Sequence, residues 1–293
     1  MRVDKGGEGP KAASNQRVAI QGERGSYSEE AAARLLKKKP DIYCCEHFHE
    51  IFAATASGQT RYCAVPVENS LAGSIHKNYD LFSQHQLHIV REVNLRIEHN
   101  LIGAPGSTLK DIKTVMSHPV ALDQCGRFFK EFPGLLKQSS YDTSGSVKRI
   151  VEEGWSDCAA IAGRRAAEHY GGKILMSAIE DNSENFTRFL LLAAEPEIAE
   201  GADKTSIVFS FQNAPGALSR CLSVFALRDI DLTKIESRPI HGRPWEYLFY
   251  LDFLGDVRQE KTQNALNHLK EITEFLEVLG CYPRDSRLAG KRM

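Results

Sequence analysis

From Arg17 onward the chain alternates short apolar runs with amphipathic stretches, and this alternation limits the fold more than any other feature. "RVAIQG" (17–22) reads as a buried strand ending in glycine, and "SYSEEAAARLLKKK" (26–39) as a helix. Ser26 or Ser28 can cap that helix, acids follow early and lysines close it, as the helix dipole favours. "YCAVPVENS" (62–70) is a second apolar strand that runs into a polar turn. "IHKNYDLFSQH" (75–85) reads as the next helix, and "LHIVREVNLRIEHNLIGAP" (87–105) alternates as strand.

The pattern then repeats. "IKTVMSH" (112–118) is a strand, 119–132 a helix, and "SYDTSGSVKRIVEEG" (140–154) a loop feeding a helix. "CAAIAGRRAAEHYG" (158–171) is a strand and then a helix closed by Gly171. "KILMSAIED" (173–181) leads into "NFTRFLLLAAE" (185–195). Alternating strands and helices specify an α/β fold with a mainly parallel sheet. Two blocks, about 17–95 and 97–181, predict two lobes, with 182–194 returning to the first. Ligands in such folds bind between lobes, beyond the carboxyl ends of strands.

Residues 195–203 are polar and read as a linker, and 204–285 as a separate unit. Its order is strand 205–211, helix 215–228, strands 231–240 and 246–255, helix 257–272 and strand 275–283. That is βαββαβ, a ferredoxin-like arrangement. The first 16 residues are polar, lack an apolar core segment, and read as a loose tail rather than a signal peptide.

With 37 basic against 38 acidic residues, the net charge of −1 offers no global field for nucleic acid or membrane. Anion specificity must be local. No apolar run approaches the roughly 18 residues of a membrane span. The seven cysteines are scattered without a CxxC pair, which points to reduced thiols and a cytoplasmic setting.

Four polar stretches sit where strands end. "GERGSYS" (22–28) puts glycines before Ser26 at a helix start. "VPVENSLAGS" (65–74) places Glu68, Asn69 and Ser70 directly after an apolar strand. "DTSGS" (142–146) brings Thr143 and Ser144 to a second helix start. "NFTRF" (185–189) offers the Thr187 hydroxyl, the planar Arg188 fork and Phe189. Read singly, the first is a capped loop, and Arg188 is a strand-end cation reaching water. Read together, two helix starts and an arginine suit a dianion. His118, His76 and Lys77 are lesser candidates, and "HFH" (47–49) reads as surface rather than metal ligand. No G-x-S-x-G, Walker A or HExxH motif occurs, which argues against the commonest hydrolases, NTPases and metalloproteases.

These stretches in this order resemble the catalytic domain of prephenate dehydratases, together with "SHPVALDQC" and "AAIAGRRAAEHYGGKIL". "SLAGSIHKNYDL" is similar to the arogenate dehydratases of the same family. The segment "KTSIVFSF" through "PGALSRCLS" to "LTKIESRPIHGRPWEYLFYLDF" resembles an ACT domain. The resemblance implies a two-lobed, periplasmic-binding-protein-like catalytic domain over 17–194 and an ACT domain over 204–285. It implies decarboxylating dehydration of prephenate to phenylpyruvate, with arogenate as the alternative substrate, or else a non-enzymatic amino-acid sensor. Thr187 matches the essential threonine, a donor that polarises the leaving oxygen or relays a proton from Glu68 or water. Ser26, Glu68, Asn69, Ser70, Thr143, Ser144, Arg188 and Phe189 are the implied substrate-binding residues. L-Phenylalanine is the implied effector, at Asn213, Gly216, Ala217, Leu218, Glu236, Ser237, Arg238 and Pro239 of a homodimer or homotetramer. No metal or organic cofactor is implied.

There are departures. Ser26 stands where the family commonly has threonine, and "DTSGSV" where it often has D-T-A-G-A-A. The second change leaves the choice of substrate side chain open. No chorismate-mutase-like helical segment precedes 17, so a bifunctional enzyme is not expected.

Overall fold

A computed structural model describes residues 17–285 apart from Ser83 and His241. The expected tail over 1–16 lies outside the described residues.

The first lobe begins with β1 (Arg17–Gln21) and α1 (Tyr27–Leu36), whose cap Ser26 accepts from the Glu29 N–H at 3.3 Å. Next come β2 (Asp41–Cys45) and α2 (Phe48–Ala56), which pattern reading did not anticipate. The "HFH" segment is a helix start: His47 is the N-cap, and the Glu50 side chain accepts its N–H at 3.1 Å. β3 (Tyr62–Asn69), the short β4 (Gly73–Ser74), α3 (His76–Phe82) and β5 (His88–Arg96) follow.

The second lobe holds β6 (Asn100–Gly103), β7 (Thr114–Ser117), α4 (Pro119–Asp123), α5 (Gly126–Glu131) and β8 (Leu136–Ser139). It continues with α6 (Thr143–Glu152), β9 (Cys158–Ala162), α7 (Arg164–Tyr170) and β10 (Lys173–Met176). Its sheet runs β10-β6-β9-β7-β8. The chain then re-enters the first lobe as β11 (Phe186–Ala193), giving the order β2-β1-β3-β11-β5 with β4 on β3.

Three expectations change here. Both lobe sheets are mixed rather than mainly parallel, because β11 and β6, entered where the chain passes between lobes, pair antiparallel with both neighbours. The run 87–105 is two strands in two sheets, because 97–99 cross between lobes. The stretch 119–132 is two helices, because the Asp181 carboxylate accepts from the Gly126 and Arg127 N–H groups and starts α5 afresh.

The third sheet comprises β12 (Lys204–Ser210), β13 (Leu232–Pro239), β14 (Tyr247–Leu254) and β15 (Phe275–Tyr282). With α8 (Ala217–Ala226) and α9 (Glu260–Glu271) it forms an antiparallel βαββαβ unit in the order β13-β14-β12-β15. This unit does not hang from a linker. Val208, Tyr250, Leu279 and Tyr282 share one core with Phe52, Ile89 and Leu190 of the first lobe. A Cβ placed on Gly280 would lie 2.1 Å from the Ile89 carbonyl oxygen, so only glycine lets β15 approach β5 this closely.

Candidate active site

Between the lobes lies a cleft of about 420 Å³, a size ordinary for a small-molecule site. Thr187, Asn69 and Phe189 reach it from one sheet, Ser26 and Tyr27 from the start of α1, and Thr143 and Asp142 from the start of α6. The lobes touch beside it. Ser144 Oγ donates to the Arg24 carbonyl at 2.5 Å, and Asp142 Oδ2 accepts from the Glu23 N–H at 2.9 Å. Gly25 makes this approach possible: its φ is +76°, and a Cβ there would sit 2.8 Å from Ala166 Cα.

A chain of polar side chains runs along the cleft floor. Asn69 Nδ2 donates to Thr187 Oγ1 at 3.0 Å and to Asn185 Oδ1 at 2.8 Å. Gln124 Oε1 accepts from Asn185 Nδ2 at 2.9 Å and faces His99 Nε2 at 3.0 Å. His99 Nδ1 meets the Tyr27 hydroxyl at 3.0 Å. An amide oxygen opposite Nε2 assigns the proton to that nitrogen. Burial holds His99 and His118 below the ordinary histidine value, so both favour the neutral form. No histidine or carboxylate hydrogen-bonds Thr187 among the described residues.

Gln124, His99, Asn185 and Tyr27 were not singled out from the sequence. Tyr27 and Gln124 lie within the quoted stretches "GERGSYS" and "SHPVALDQC", and Asn185 shares the period-two face of Thr187.

Of the expected substrate residues, Ser26, Asn69, Thr143, Thr187 and Phe189 line the cleft. Glu68, Ser70, Ser144 and Arg188 do not. Ser70 Oγ closes the turn, donating to the Glu184 carbonyl at 2.8 Å, and Ser144 is spent on the interlobe bond. Glu68 and Arg188 fail for one reason. β3 and β11 pair antiparallel, with Thr187 opposite Asn69 and Arg188 opposite Glu68. Successive side chains on a strand point to opposite faces, so one pair meets the cleft and the next turns away. Glu68 meets Lys234 of β13 at 3.1 Å and is not placed to relay a proton.

The start of α6 already carries a protein carboxylate, and a second one sits just before α1. Asp142 accepts from the Ser144 and Gly145 N–H groups, and Glu29 Oε2 from the Gly25 N–H at 2.6 Å. The N–H groups that start α6 are therefore taken, whereas the Glu29 bond lies before the Ser26 cap of α1.

Arg188 lies in a buried ion cluster between the first lobe and the βαββαβ unit. Its Nε meets Glu92 Oε2 at 2.8 Å, Nη1 meets Asp252 Oδ2 at 2.5 Å, and Nη2 donates to the Tyr282 hydroxyl at 3.0 Å. Lys204 Nζ completes it, 2.9 Å from Glu92 Oε2. Two cations balance two carboxylates, which makes burial tolerable. Burial opposes ionisation of Asp252, yet Arg188 and Lys204 hold its carboxyl below the ordinary value.

The expected effector residues divide in the same way. Glu236 Oε2 accepts from Ser74 Oγ at 2.5 Å, and Arg238 grips Asp80 through two bonds of 3.0 and 2.9 Å. These two face the first lobe, while Ser237 and Pro239 are exposed. Gly216 caps α8 with φ +79°, and Ala217 is buried behind it. Asn213 and Leu218 lie in the loop before α8 and in its first turn.

Fold and cleft define a two-lobed α/β protein with an interlobe cleft of small-molecule size and a docked βαββαβ unit. The chain belongs to the prephenate dehydratase family, whose model matches residues 18–197. It is 45% identical over 287 residues to arogenate dehydratase/prephenate dehydratase 2, chloroplastic, of Arabidopsis thaliana, covering 94% of this chain and 74% of that one. Among solved structures, the prephenate dehydratase of Arthrobacter aurescens in complex with L-Phe is 30% identical with a TM-score of 0.82, covering 92% of this chain and 90% of that one. A structure described as GqqA, a novel type of quorum quenching acylase, is 32% identical with a TM-score of 0.85, covering 92% and 98%. The expectation of a cytoplasmic protein does not stand, because this Arabidopsis relative and two others at 43% identity are named chloroplastic.

Proposed function

We propose that the chain catalyses decarboxylating dehydration of prephenate. The carrying observation is the Thr187 hydroxyl, which faces the cleft beside Asn69 with no base attached. In this reaction the ring carboxylate leaves as CO2, and its bonding electrons aromatise the ring. The C–O bond breaks, and one proton taken up by the departing hydroxide completes water. Net, prephenate and a proton give phenylpyruvate, CO2 and water. Thr187 donates to the leaving oxygen and stabilises its growing charge. The lobes hold the ring and thin the water around it. An acylase would need a base to activate its nucleophile, and the surroundings of Thr187 favour dehydration.

Arogenate is the second reading, supported by the name of the Arabidopsis relative and by a 45% identical Petunia hybrida relative named arogenate dehydratase 2. Those chloroplastic names also support a plastid location. The βαββαβ unit acts as an ACT domain under phenylalanine control, a reading supported by the L-Phe complex of the Arthrobacter relative and by the grip of β13 on the first lobe. We place the effector loop around 213–218 and a homodimer contact at β13, one of the two edge strands of its sheet.

Incubation of the full chain with prephenate and with arogenate, assaying phenylpyruvate and phenylalanine, tests this. Turnover of either substrate, altered by added phenylalanine, is the expected result. A folded protein inert toward both refutes the dehydratase reading, and turnover indifferent to phenylalanine refutes the regulatory one.

A further inference from the structure

With Arg188 turned away, a cation for the substrate carboxylates must come from elsewhere. Lys77 is the only lysine or arginine lining the cleft among the described residues. It is exposed and has no ion pair among them. The two cleft histidines are held toward neutrality, Asp142 adds a carboxylate, and that carboxylate occupies the start of α6.

Lys77 sits on α3, and α3 is gripped by the third sheet. His76 Nε2 lies 3.2 Å from Glu236 Oε1, the Tyr79 carbonyl accepts from the Tyr250 hydroxyl at 2.9 Å, and Asp80 pairs with Arg238. Positions 76 and 80, one turn apart, meet β13, and Lys77, the residue after 76, flanks that side and lines the cleft. The anchoring partners all belong to β13 and β14.

We propose that Lys77 binds a substrate carboxylate, and that the docking of α3 on β13 sets its reach. The inference rests on the dehydratase reading and names a specificity residue for it. It also gives the βαββαβ unit a direct mechanical hold on the substrate site, since Glu236 belongs to the expected effector motif.

Steady-state kinetics of the full chain, with whichever substrate the wild type turns over, provide the test. Lys77→Met is expected to raise KM at least tenfold while kcat falls less than threefold, and Lys77→Arg to recover most of the loss. The wild-type KM should climb with added salt, and that of Lys77→Met should not. Glu236→Gln should raise KM in the wild-type background and change little in Lys77→Met, a non-additive cycle. A Lys77→Met KM within twofold of wild type overturns the carboxylate role. Additive effects of the two substitutions overturn the positioning by β13. Wild-type inertness toward both substrates fails the dehydratase reading itself, and this inference with it, whereas an active wild type with an indifferent Lys77→Met fails the inference alone.

Discussion

Thr187 and Arg188 are neighbours on one strand, yet they end in opposite surroundings. Thr187 opens onto a cleft of amides and hydroxyls, with hydrogen-bonding capacity in reserve. Arg188 is enclosed by carboxylates and a phenol, with every nitrogen engaged. The strand thus carries chemistry on one face and domain docking on the other. A motif that reads as one functional unit in sequence is two units in space, separated by the period of a β-strand.

Breaking the buried face should give the largest effect. Arg188→Met leaves two buried carboxylates with Lys204 as their remaining cation, and removing one member of a buried pair costs about 3–5 kcal/mol. Urea denaturation should show this loss. Unchanged stability with a raised KM would instead place Arg188 on the substrate. The shared core makes truncation after 203 costly for the same reason, because Ile89, Leu190 and the Arg188 cluster would lose their cover.

Thr187→Val breaks the other face. The change is nearly isosteric, and Asn69 Nδ2 keeps Asn185 and the Phe186 carbonyl as acceptors, so the stability loss should stay near about 1 kcal/mol. Turnover should fall by roughly 10²–10³, the typical cost of removing one donor to developing charge. A variant that keeps wild-type kcat would end the assigned role.

Acid pH should separate the faces most gently. The folded value of Asp252 is depressed, so its stabilising contribution is present above the ordinary carboxylate value of 3.8 and is lost as pH falls through the lower folded value. Between about pH 5 and about pH 3 the wild type should lose more stability than Asp252→Asn. Parallel pH profiles for the two would show that the cluster does not hold this carboxyl down.

Much of the architecture was legible before any coordinates. The helix of 26–39 carried its cap and its charge gradient, and the βαββαβ order showed in the spacing of apolar runs. The strand "DIYCC" and the helix beginning at Phe48 were not legible, because the strand is short and partly exposed and the helix starts at a His47–Glu50 box rather than at a Ser, Thr, Asp or Asn cap. The missed cleft residues share one cause. Gln124 ends α4 and His99 lies in the 97–99 crossing, and only the packing of α4 beside that crossing brings them within 3.0 Å.

The sequence by itself determined which elements form and which loops are rich in hydroxyls and amides, because helix periodicity, capping and turn chemistry are local. It also determined the family, through several motifs in a fixed order. Only the tertiary structure decided which residue of each motif meets the cleft, that Arg188 and Glu68 serve the contact with the third sheet, and that, among the described residues, Lys77 is the lysine or arginine that lines the cleft. Those outcomes depend on strand register and on which surfaces dock. Both are set by long-range packing rather than by any residue's immediate neighbours.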